Sequence, residues 1–285
     1  MEDLDPLLVP VRPAATVMLV QDRPKLSVLM IRRAATHVFA NAMWVYPGGS
    51  VDSADALGFE ARCVGLDDAA ASAQLGVEAG GLAYYVAAIR EAFEEAGVLL
   101  GRPASGGQLD WADDATAARF EEHRVELNAG RRAFLDIVAE EHLVLDAGLL
   151  HPVGHWITPL GSPRRFDTRF FLAAMPPGQT PMHDDGEAVH HEWFEPAAAI
   201  ERWLLDDMPM MSPTARMLRS LGEYAAAEEA MAAMAAGPPM QQVRVVRDDE
   251  AGVYEVLLPG DAGYAEADPE REFGFVRLWK PPAPL

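Results

Sequence analysis

The stretch Arg90-Glu91-Ala92-Phe93-Glu94-Glu95-Ala96-Gly97-Val98 places three glutamates within five residues. On a helix, residues three and four positions apart are neighbours, so Glu91, Glu94 and Glu95 share one region of the surface. Clustered carboxylates repel one another and stabilise a fold little, whereas hard divalent cations such as Mg²⁺ bind carboxylate oxygens. Gly97 supplies a helix stop after the cluster. The stretch predicts a metal site on a helix, with an ordinary solvated acidic face as the alternative.

A second informative stretch lies upstream, Tyr46-Pro47-Gly48-Gly49-Ser50-Val51-Asp52-Ser53-Ala54-Asp55. Its Pro-Gly-Gly sequence predicts a loop that can approach a ligand or metal closely, because glycine has no Cβ. Five residues separate Gly49 from Asp55, and 34 residues, 56 to 89, separate Asp55 from Arg90. This loop raises the weight of the metal-site interpretation over the solvated-face alternative.

Together the two stretches resemble the Nudix box, in which a glycine, five residues, a glutamate and seven residues precede R-E-U-x-E-E-x-G-U, with U aliphatic. Two departures stand out: Asp55 replaces the usual glutamate, and 34 residues replace the usual seven. A box split in this way is similar to the Nudix branch that includes the peroxisomal-type coenzyme A diphosphatases. Other stretches that resemble this branch are Arg12–Val17, Trp156–Pro159 and Arg164–Phe171.

The resemblance implies a role for each residue of the box. The metal ligands for Mg²⁺ or Mn²⁺ would be Gly48 through its carbonyl, Glu91, Glu94 and Glu95. Arg90 would orient a motif glutamate without touching the substrate. Asp55 would share this structural and orienting role, as the motif position that the long spacer makes least secure.

The general base is left open. Glu91 within the box is one candidate, and a loop carboxylate outside the box is the other, since many Nudix members use one. The loop candidates are Asp184, Asp185, Glu187 and Glu192. Glu187 is preferred among them, so the predicted catalytic residues are Glu91, Glu95 and Glu187. For each loop residue, an ordinary solvated carboxylate is the competing interpretation.

A phosphorylated substrate requires cations, and two pairs of arginines are available. Arg32 and Arg33 follow the second predicted strand, and Arg164 and Arg165 precede a later one. Arginine suits bidentate contacts with phosphate, so both pairs are predicted to bind substrate. Structural pairing with acids is the alternative, because the chain has 44 acidic residues against 23 Lys and Arg.

Composition narrows the partners. A formal net charge of −21 disfavours nucleic acid but leaves open a small diphosphate in a locally basic pocket. One cysteine, Cys63, allows no internal disulfide, which fits a reducing cytoplasm. No apolar run is long enough to span a membrane, and no basic amino-terminal region or terminal Ser-Lys-Leu indicates another address. The oligomeric state is open, a homodimer included.

Hydrophobic periodicity predicts strands near residues 14–20, 26–31, 44–46, 155–158, 166–174 and 190–194. Helices are predicted at 82–96, 112–127, 130–142, 197–205 and from Ser212, as N-cap, to about Met234. With the resemblance, this order implies an α/β (α+β) fold in which helices sandwich a mixed sheet. The predicted Nudix unit is 10–236, interrupted by insertions at 56–81 and 112–142. Residues 101–110 are a predicted loop, and 237–285 a carboxyl-terminal hairpin extension.

The resemblance implies metal-dependent hydrolysis of a diphosphate linkage in a nucleoside diphosphate derivative. The split box favours coenzyme A or acyl-coenzyme A as substrate, although Leu29-Met30-Ile31-Arg32-Arg33 matches the usual coenzyme A signature only loosely. ADP-ribose, nucleotide sugars and dinucleotide polyphosphates are alternatives. A non-catalytic nucleotide-sensing module is the competing class, and the intact acidic positions argue against it.

Overall fold

The computed structural model describes residues 9–34, 42–159, 162–184, 186–248, 253–267 and 273–280. In these residues a mixed nine-stranded sheet runs in the order β10-β13-β7-β8-β1-β2-β3, with β4 beside β1 and β9 beside β2. Its strands are β1 (Val11–Asp22), β2 (Leu26–Arg33), β3 (Trp44–Val45), β4 (Gly48–Ser50), β7 (His151–Ile157), β8 (Arg165–Ala174), β9 (Ala188–Phe194), β10 (Gln241–Gln242) and β13 (Phe273–Val276). Two smaller ladders pair β5 (Gly101–Pro103) with β6 (Leu143–Leu145), and β11 (Arg244–Asp248) with β12 (Val253–Leu257).

The described residues also contain seven α-helices: α1 (Asp68–Leu75), α2 (Gly81–Ala96), α3 (Asp114–Asn128), α4 (Phe134–Glu140), α5 (Pro196–Leu204), α6 (Ser212–Leu221) and α7 (Ala227–Ala235). Short 3₁₀ turns occur at Ser53–Ala56 and Ala147–Leu149. None of the helices in the described ranges is long and apolar enough to cross a membrane.

The two faces of the sheet carry separate hydrophobic cores, and β1 contributes to both. Val17 and Leu19 of β1 belong to the core that contains α2. Met18 and Val20 belong to the core that contains α6 and α7. Successive side chains of a strand point to opposite faces, so a sheet covered on both sides needs an unbroken apolar strand. The predicted sandwich of helices around a mixed sheet is confirmed.

Helix α2 carries the acidic stretch and lies almost wholly within the fold. Its predicted apolar residues Leu82, Val86 and Ile89 are buried. Gly97 ends the helix with φ 65°, a left-handed conformation that glycine adopts without steric cost. The acidic side of α2 is buried too. Glu91 and Glu95 are only 9% and 3% exposed, because Gly49 and Gly48 of β4 lie against their carboxylates.

The insertion at 56–81 forms a helix and loops, as predicted, and it is attached to the start of α2. The Asp68 carboxylate of α1 accepts hydrogen bonds from the backbone N–H groups of Gly80 and Leu82, each at 3.0 Å. Ser72 Oγ accepts another from Gly81 N at 2.9 Å. These oxygens satisfy amides that a helix amino terminus leaves without intrahelical partners. The insertion therefore leaves and rejoins the box without distorting α2.

Three expectations of local structure were wrong. Residues 101–110 are not all loop, because β5 pairs with β6. The helix from Ser212 ends at Leu221, and α7 begins separately at Ala227, whose N–H donates to Asp22 Oδ1 at 2.9 Å. This contact fixes the start of α7 at the end of β1 and breaks the continuous helix. Met211, not Ser212, is the N-cap of α6.

The carboxyl-terminal segment does more than form the predicted hairpin. β11 and β12 pair antiparallel as expected. Beyond them, β13 pairs with β7 and β10 pairs with β13, so both strands extend the main sheet. The sequence did not indicate these two strands, which are only four and two residues long. The segment is thus continuous with the sheet that carries the candidate site.

Candidate active site

Arg90 of α2 lies at the centre of the acidic cluster and joins the two halves of the box. Its Nε and Nη2 donate to the two Asp55 carboxylate oxygens at 2.9 and 3.0 Å. Nη2 also donates to the Ser50 carbonyl at 2.9 Å. Nη1 donates to Glu91 Oε1 at 2.8 Å and to Glu94 Oε2 at 3.0 Å. One buried guanidinium thus collects residues from β4, the following 3₁₀ turn and α2, across the 34-residue spacer.

Asp55 occupies the most buried position of this group, with a side chain 2% exposed. One of its oxygens also accepts a hydrogen bond from Asp52 N at 2.8 Å, which caps the 3₁₀ turn. The shorter aspartate in place of the usual glutamate therefore still reaches Arg90 in a bidentate pair. This geometry places Asp55 as a partner of Arg90, in line with an orienting role.

Glu95 faces the glycine loop. Its Oε2 accepts a hydrogen bond from Gly48 N at 2.8 Å, and its Oε1 accepts one from Arg33 Nη2 at 3.2 Å. The same Arg33 nitrogen donates to the Gly48 carbonyl at 3.2 Å. Arg33 Nη1 forms an ion pair of 2.6 Å with Glu187 Oε1. Gly48, Glu95 and Glu187 are therefore brought together around one guanidinium.

The two glycines are required by close approach to their neighbours. A Cβ at Gly49 would lie 2.3 Å from Glu91 Oε1. A Cβ at Gly48 would lie 2.6 Å from the Ala15 carbonyl of β1. Real Cβ atoms do not approach this closely, so only glycine lets β4 fit between β1 and the glutamates. Glu91 therefore lies directly against the loop.

The site holds more negative than positive charge. Five carboxylates, from Asp55, Glu91, Glu94, Glu95 and Glu187, share the two guanidinium groups of Arg33 and Arg90. Burial raises the pKa of Glu91 to about 7, against the lowering effect of Arg90. Burial also raises the pKa of Glu94, and it raises that of Glu95 well above its ordinary value. The fold thus holds these acids where their charge is disfavoured.

The loop candidates for a general base differ in what they do. Asp184 accepts hydrogen bonds from Glu187 N at 3.0 Å and Ala188 N at 2.8 Å, so it shapes the turn. Glu192 faces His190 at 3.6 Å. Asp185 lies outside the described residues. Glu187 is the loop acid whose carboxylate joins the cluster, and its side chain is 39% exposed.

The predicted substrate-binding arginines do not form one patch. Arg32 is exposed and its Nε donates to the Ala42 carbonyl at 3.4 Å, whereas Arg33 turns inward to the cluster. Arg164 is exposed. Arg165 donates to the Thr158 carbonyl at 3.0 Å and pairs with Val11 of β1. Ala14, three residues further along β1, pairs with Ser50 of β4. Arg165 therefore lies roughly 10 Å from Ser50 in the direction of the strands.

Arg124 of α3, which no sequence motif indicated, is only 3% exposed. Its Nη1 donates to the Met182 carbonyl at 2.8 Å and to the Glu94 carbonyl at 3.4 Å. Glu121 holds the guanidinium through two contacts of 2.9 Å. Arg124 thus ties the inserted helix to the end of α2 and to the loop that leads to Glu187. No local pattern could reveal a contact between segments so distant in sequence.

The donor set of the cluster fits a hard divalent cation. It consists of carboxylate oxygens and the Gly48 carbonyl, in an environment with excess negative charge. In the geometry described, these carboxylates point to arginines and a backbone amide. Across the described residues, the triad found with one ligand atom each within 4.8 Å is a different one, His123, Glu140 and Glu141. That second cluster is already neutralised, because Arg119 pairs with Glu141 and Arg132 pairs with Glu140.

Comparisons with known proteins bear on the family to which the chain belongs. Residues 67–221, more than half of the chain, match the family model described as the NUDT19 Nudix domain. Acyl-coenzyme A diphosphatase NUDT19 of Homo sapiens is 35% identical over 155 residues, which cover 50% of this chain and 40% of that protein. The Gallus gallus protein of the same name is 28% identical over 283 residues, covering 85% and 73% respectively.

A solved structure supports the fold over a longer region. The crystal structure of a NUDIX hydrolase from Alicyclobacillus acidocaldarius superposes with a TM-score of 0.66 at 28% identity, covering 81% of this chain and all of that one. It therefore extends the likeness beyond residues 67–221, which begin after Gly48 and Asp55. The split box joined by Arg90, the family match and this structural likeness together show that the chain belongs to the NUDT19 Nudix domain family of Nudix hydrolases.

Proposed function

We propose that this chain is a metal-dependent diphosphatase that hydrolyses coenzyme A or an acyl-coenzyme A. The observation that carries the diphosphatase assignment is the joining of both box halves by Arg90, despite the long spacer. A degenerate, non-catalytic module would not need to keep five carboxylates and two arginines in one partly buried cluster. The names of the human and chicken relatives support coenzyme A as the substrate class.

Mg²⁺ or Mn²⁺ would be held by Glu91, Glu94, Glu95 and the Gly48 carbonyl. Such an ion stabilises negative charge on phosphoryl oxygens and lowers the pKa of the attacking water. Arg90 fixes Glu91 and Glu94, and Asp55 fixes Arg90 through two hydrogen bonds. The Gly48 amide fixes Glu95. These contacts keep the four groups in one part of the fold, between β4 and α2.

Glu187 is the proposed proton acceptor. As the water oxygen bonds to phosphorus and the bridging P–O bond breaks, one water proton passes to the Glu187 carboxylate. The residue suits this task because it is the partly exposed acid of the cluster and its Oε1 is held by Arg33 at 2.6 Å. Glu91, the box acid that lies against Gly49, is the alternative proton acceptor.

A panel of diphosphates, each with Mg²⁺, with Mn²⁺ and with EDTA, tests this proposal. Coenzyme A should yield 3′,5′-ADP and phosphopantetheine only when metal is present. Cleavage of ADP-ribose or a nucleotide sugar, with coenzyme A intact, would overturn the substrate and leave a diphosphatase. Absence of metal-dependent cleavage across the panel would favour the binding-module alternative.

The coenzyme A 3′-phosphate gives a finer test at Arg165. Arg165→Ala should weaken cleavage of coenzyme A by about 10- to 100-fold and spare dephospho-coenzyme A, because a charge-assisted contact contributes about 1.5–3 kcal/mol. Arg164→Ala, which changes the exposed residue just before β8, is the matched comparison. Equal losses on both substrates would remove Arg165 from recognition of that phosphate.

A further inference from the structure

Adjacent arginines at the end of β2 have opposite surroundings. Arg32 is exposed and contacts a backbone carbonyl, whereas the Arg33 side chain is only 10% exposed. The difference follows from the alternation of a strand, which sends neighbouring side chains to opposite faces. Both were predicted to bind substrate phosphate. The inward position of Arg33 indicates another role.

The Arg33 guanidinium lies against three oxygens to which the proposed function gives metal binding or proton transfer. Nη2 is 3.2 Å from the Gly48 carbonyl oxygen and 3.2 Å from Glu95 Oε1. Nη1 is 2.6 Å from Glu187 Oε1. A positive charge at this position balances negative charge on the same oxygens that a divalent cation would bind.

We propose that Arg33 is an internal counter-cation, which occupies the Gly48–Glu95–Glu187 end of the site and competes there with the divalent ion. The inference deepens the proposed function and rests on it for the identity of the metal ligands. An arginine is permanently charged, and its planar fork can contact several oxygens at once. It therefore keeps the acids together when no metal is bound, and it opposes binding of the metal at the Gly48–Glu95–Glu187 end.

Arg90 provides the contrast that makes this specific to Arg33. Arg90 contacts Asp55, the Ser50 carbonyl and one carboxylate oxygen each of Glu91 and Glu94. It lies on the motif side of the cluster and does not contact Gly48 or Glu95 among the bonds found in the described residues. Removing Arg90 would separate the ligands from one another, whereas removing Arg33 would leave two carboxylates and a carbonyl available to bind a cation.

Calorimetric titration of the metal-free protein with Mn²⁺ tests the inference without any measurement of activity. Arg33→Ala should bind Mn²⁺ at least roughly tenfold more tightly than the wild type, because one positive charge is removed from the site. In EDTA the same variant should unfold at a lower temperature, since its acids then repel one another. Arg32→Ala, which changes the exposed neighbour, should match the wild type in both measurements.

Arg33→Gln, which keeps a hydrogen-bond donor and loses the charge, replaces the alanine variant if that one does not fold. Unchanged or weaker Mn²⁺ binding in the folded variant would overturn the inference, because Arg33 would then support the ligands without competing. Absence of Mn²⁺ binding to every protein would overturn it too. Tighter Mn²⁺ binding alongside a failed diphosphate panel would sustain the role of Arg33 and reject only the proposed substrate chemistry.

Discussion

Two clusters of acids in this protein differ both in the spacing of their ligand atoms and in charge balance. The first surrounds Arg90 and Arg33 and contains five carboxylates for two guanidinium groups. The second joins α3 to α4, where Glu140 pairs with Arg132, and Glu141 pairs with Arg119 and His123. In the second cluster each carboxylate has its own arginine. Proximity alone would favour the second as a metal site, and charge favours the first.

The balance of charge separates a cation site from a structural ion-pair network. A neutral network gains little from a further cation, which would have to displace an arginine from each acid. A buried cluster with more carboxylates than arginines is destabilised, because burial disfavours the charged form of its acids and raises their pKa. A bound divalent ion reduces this destabilisation.

Glu95→Gln should lower turnover on the best substrate by at least roughly a hundredfold, or about 2.7 kcal/mol of transition-state stabilisation. The change keeps size and removes one charge from the metal site. Glu141→Gln, its counterpart in the second cluster, should leave turnover near the wild-type value. Steady-state kinetics at limiting Mg²⁺ measures both, and a similar loss in the two variants would erase the distinction.

Mn²⁺ should stabilise the wild type against unfolding by about 2.7 kcal/mol when its concentration is 100 times the dissociation constant. Glu141→Gln should show the same metal-induced gain, whereas Glu95→Gln should lose most of it. Thermal denaturation with and without EDTA provides the measurement. A metal-induced gain that disappears with Glu141→Gln and persists with Glu95→Gln would place the ion at the second cluster.

Asp55→Asn should destabilise the protein by about 1–3 kcal/mol, because one of the two oxygens that accept from buried Arg90 becomes an amide nitrogen, which cannot accept. Its effect on turnover should be smaller than that of Glu95→Gln, since Asp55 acts through Arg90. Asp52→Asn is the control, because Asp52 is 65% exposed and lies 3.9 Å from the same arginine. Chemical denaturation should separate the two, and equal stability losses would contradict this account.

Glu140→Gln should change the free energy of unfolding by about 0–1 kcal/mol, the range of exposed ion pairs. Glu140 is 59% exposed, so water and salt already screen its pairing with Arg132. Denaturation at low and high salt would show whether the small effect is electrostatic. A loss above about 2 kcal/mol would mean that the second cluster matters more to the fold than its exposure indicates.

The sequence predicted the layers of the fold and the helix that carries the glutamates, because apolar periodicity and the glycine stop are local properties. It could not predict that Glu91 and Glu95 are buried, since their burial comes from β4, which is remote in sequence. The roles of Arg33 and Arg124 were equally hidden. Each depends on a strand or helix returning to the site from a distant part of the chain. The split of α6 from α7 has the same origin, in the contact with Asp22.

The insertion within the box bears on how freely such a motif can vary. The entropic cost of closing a loop grows only with the logarithm of its length, by about 0.6 kcal/mol for each doubling. Lengthening the spacer from seven to 34 residues therefore adds about 1.4 kcal/mol, and the three amide hydrogen bonds at the start of α2 can offset this. Arg90 joins the two halves of the box in space, as a cross-link joins two points of a polymer. The number of residues between the halves can therefore change at little cost in free energy.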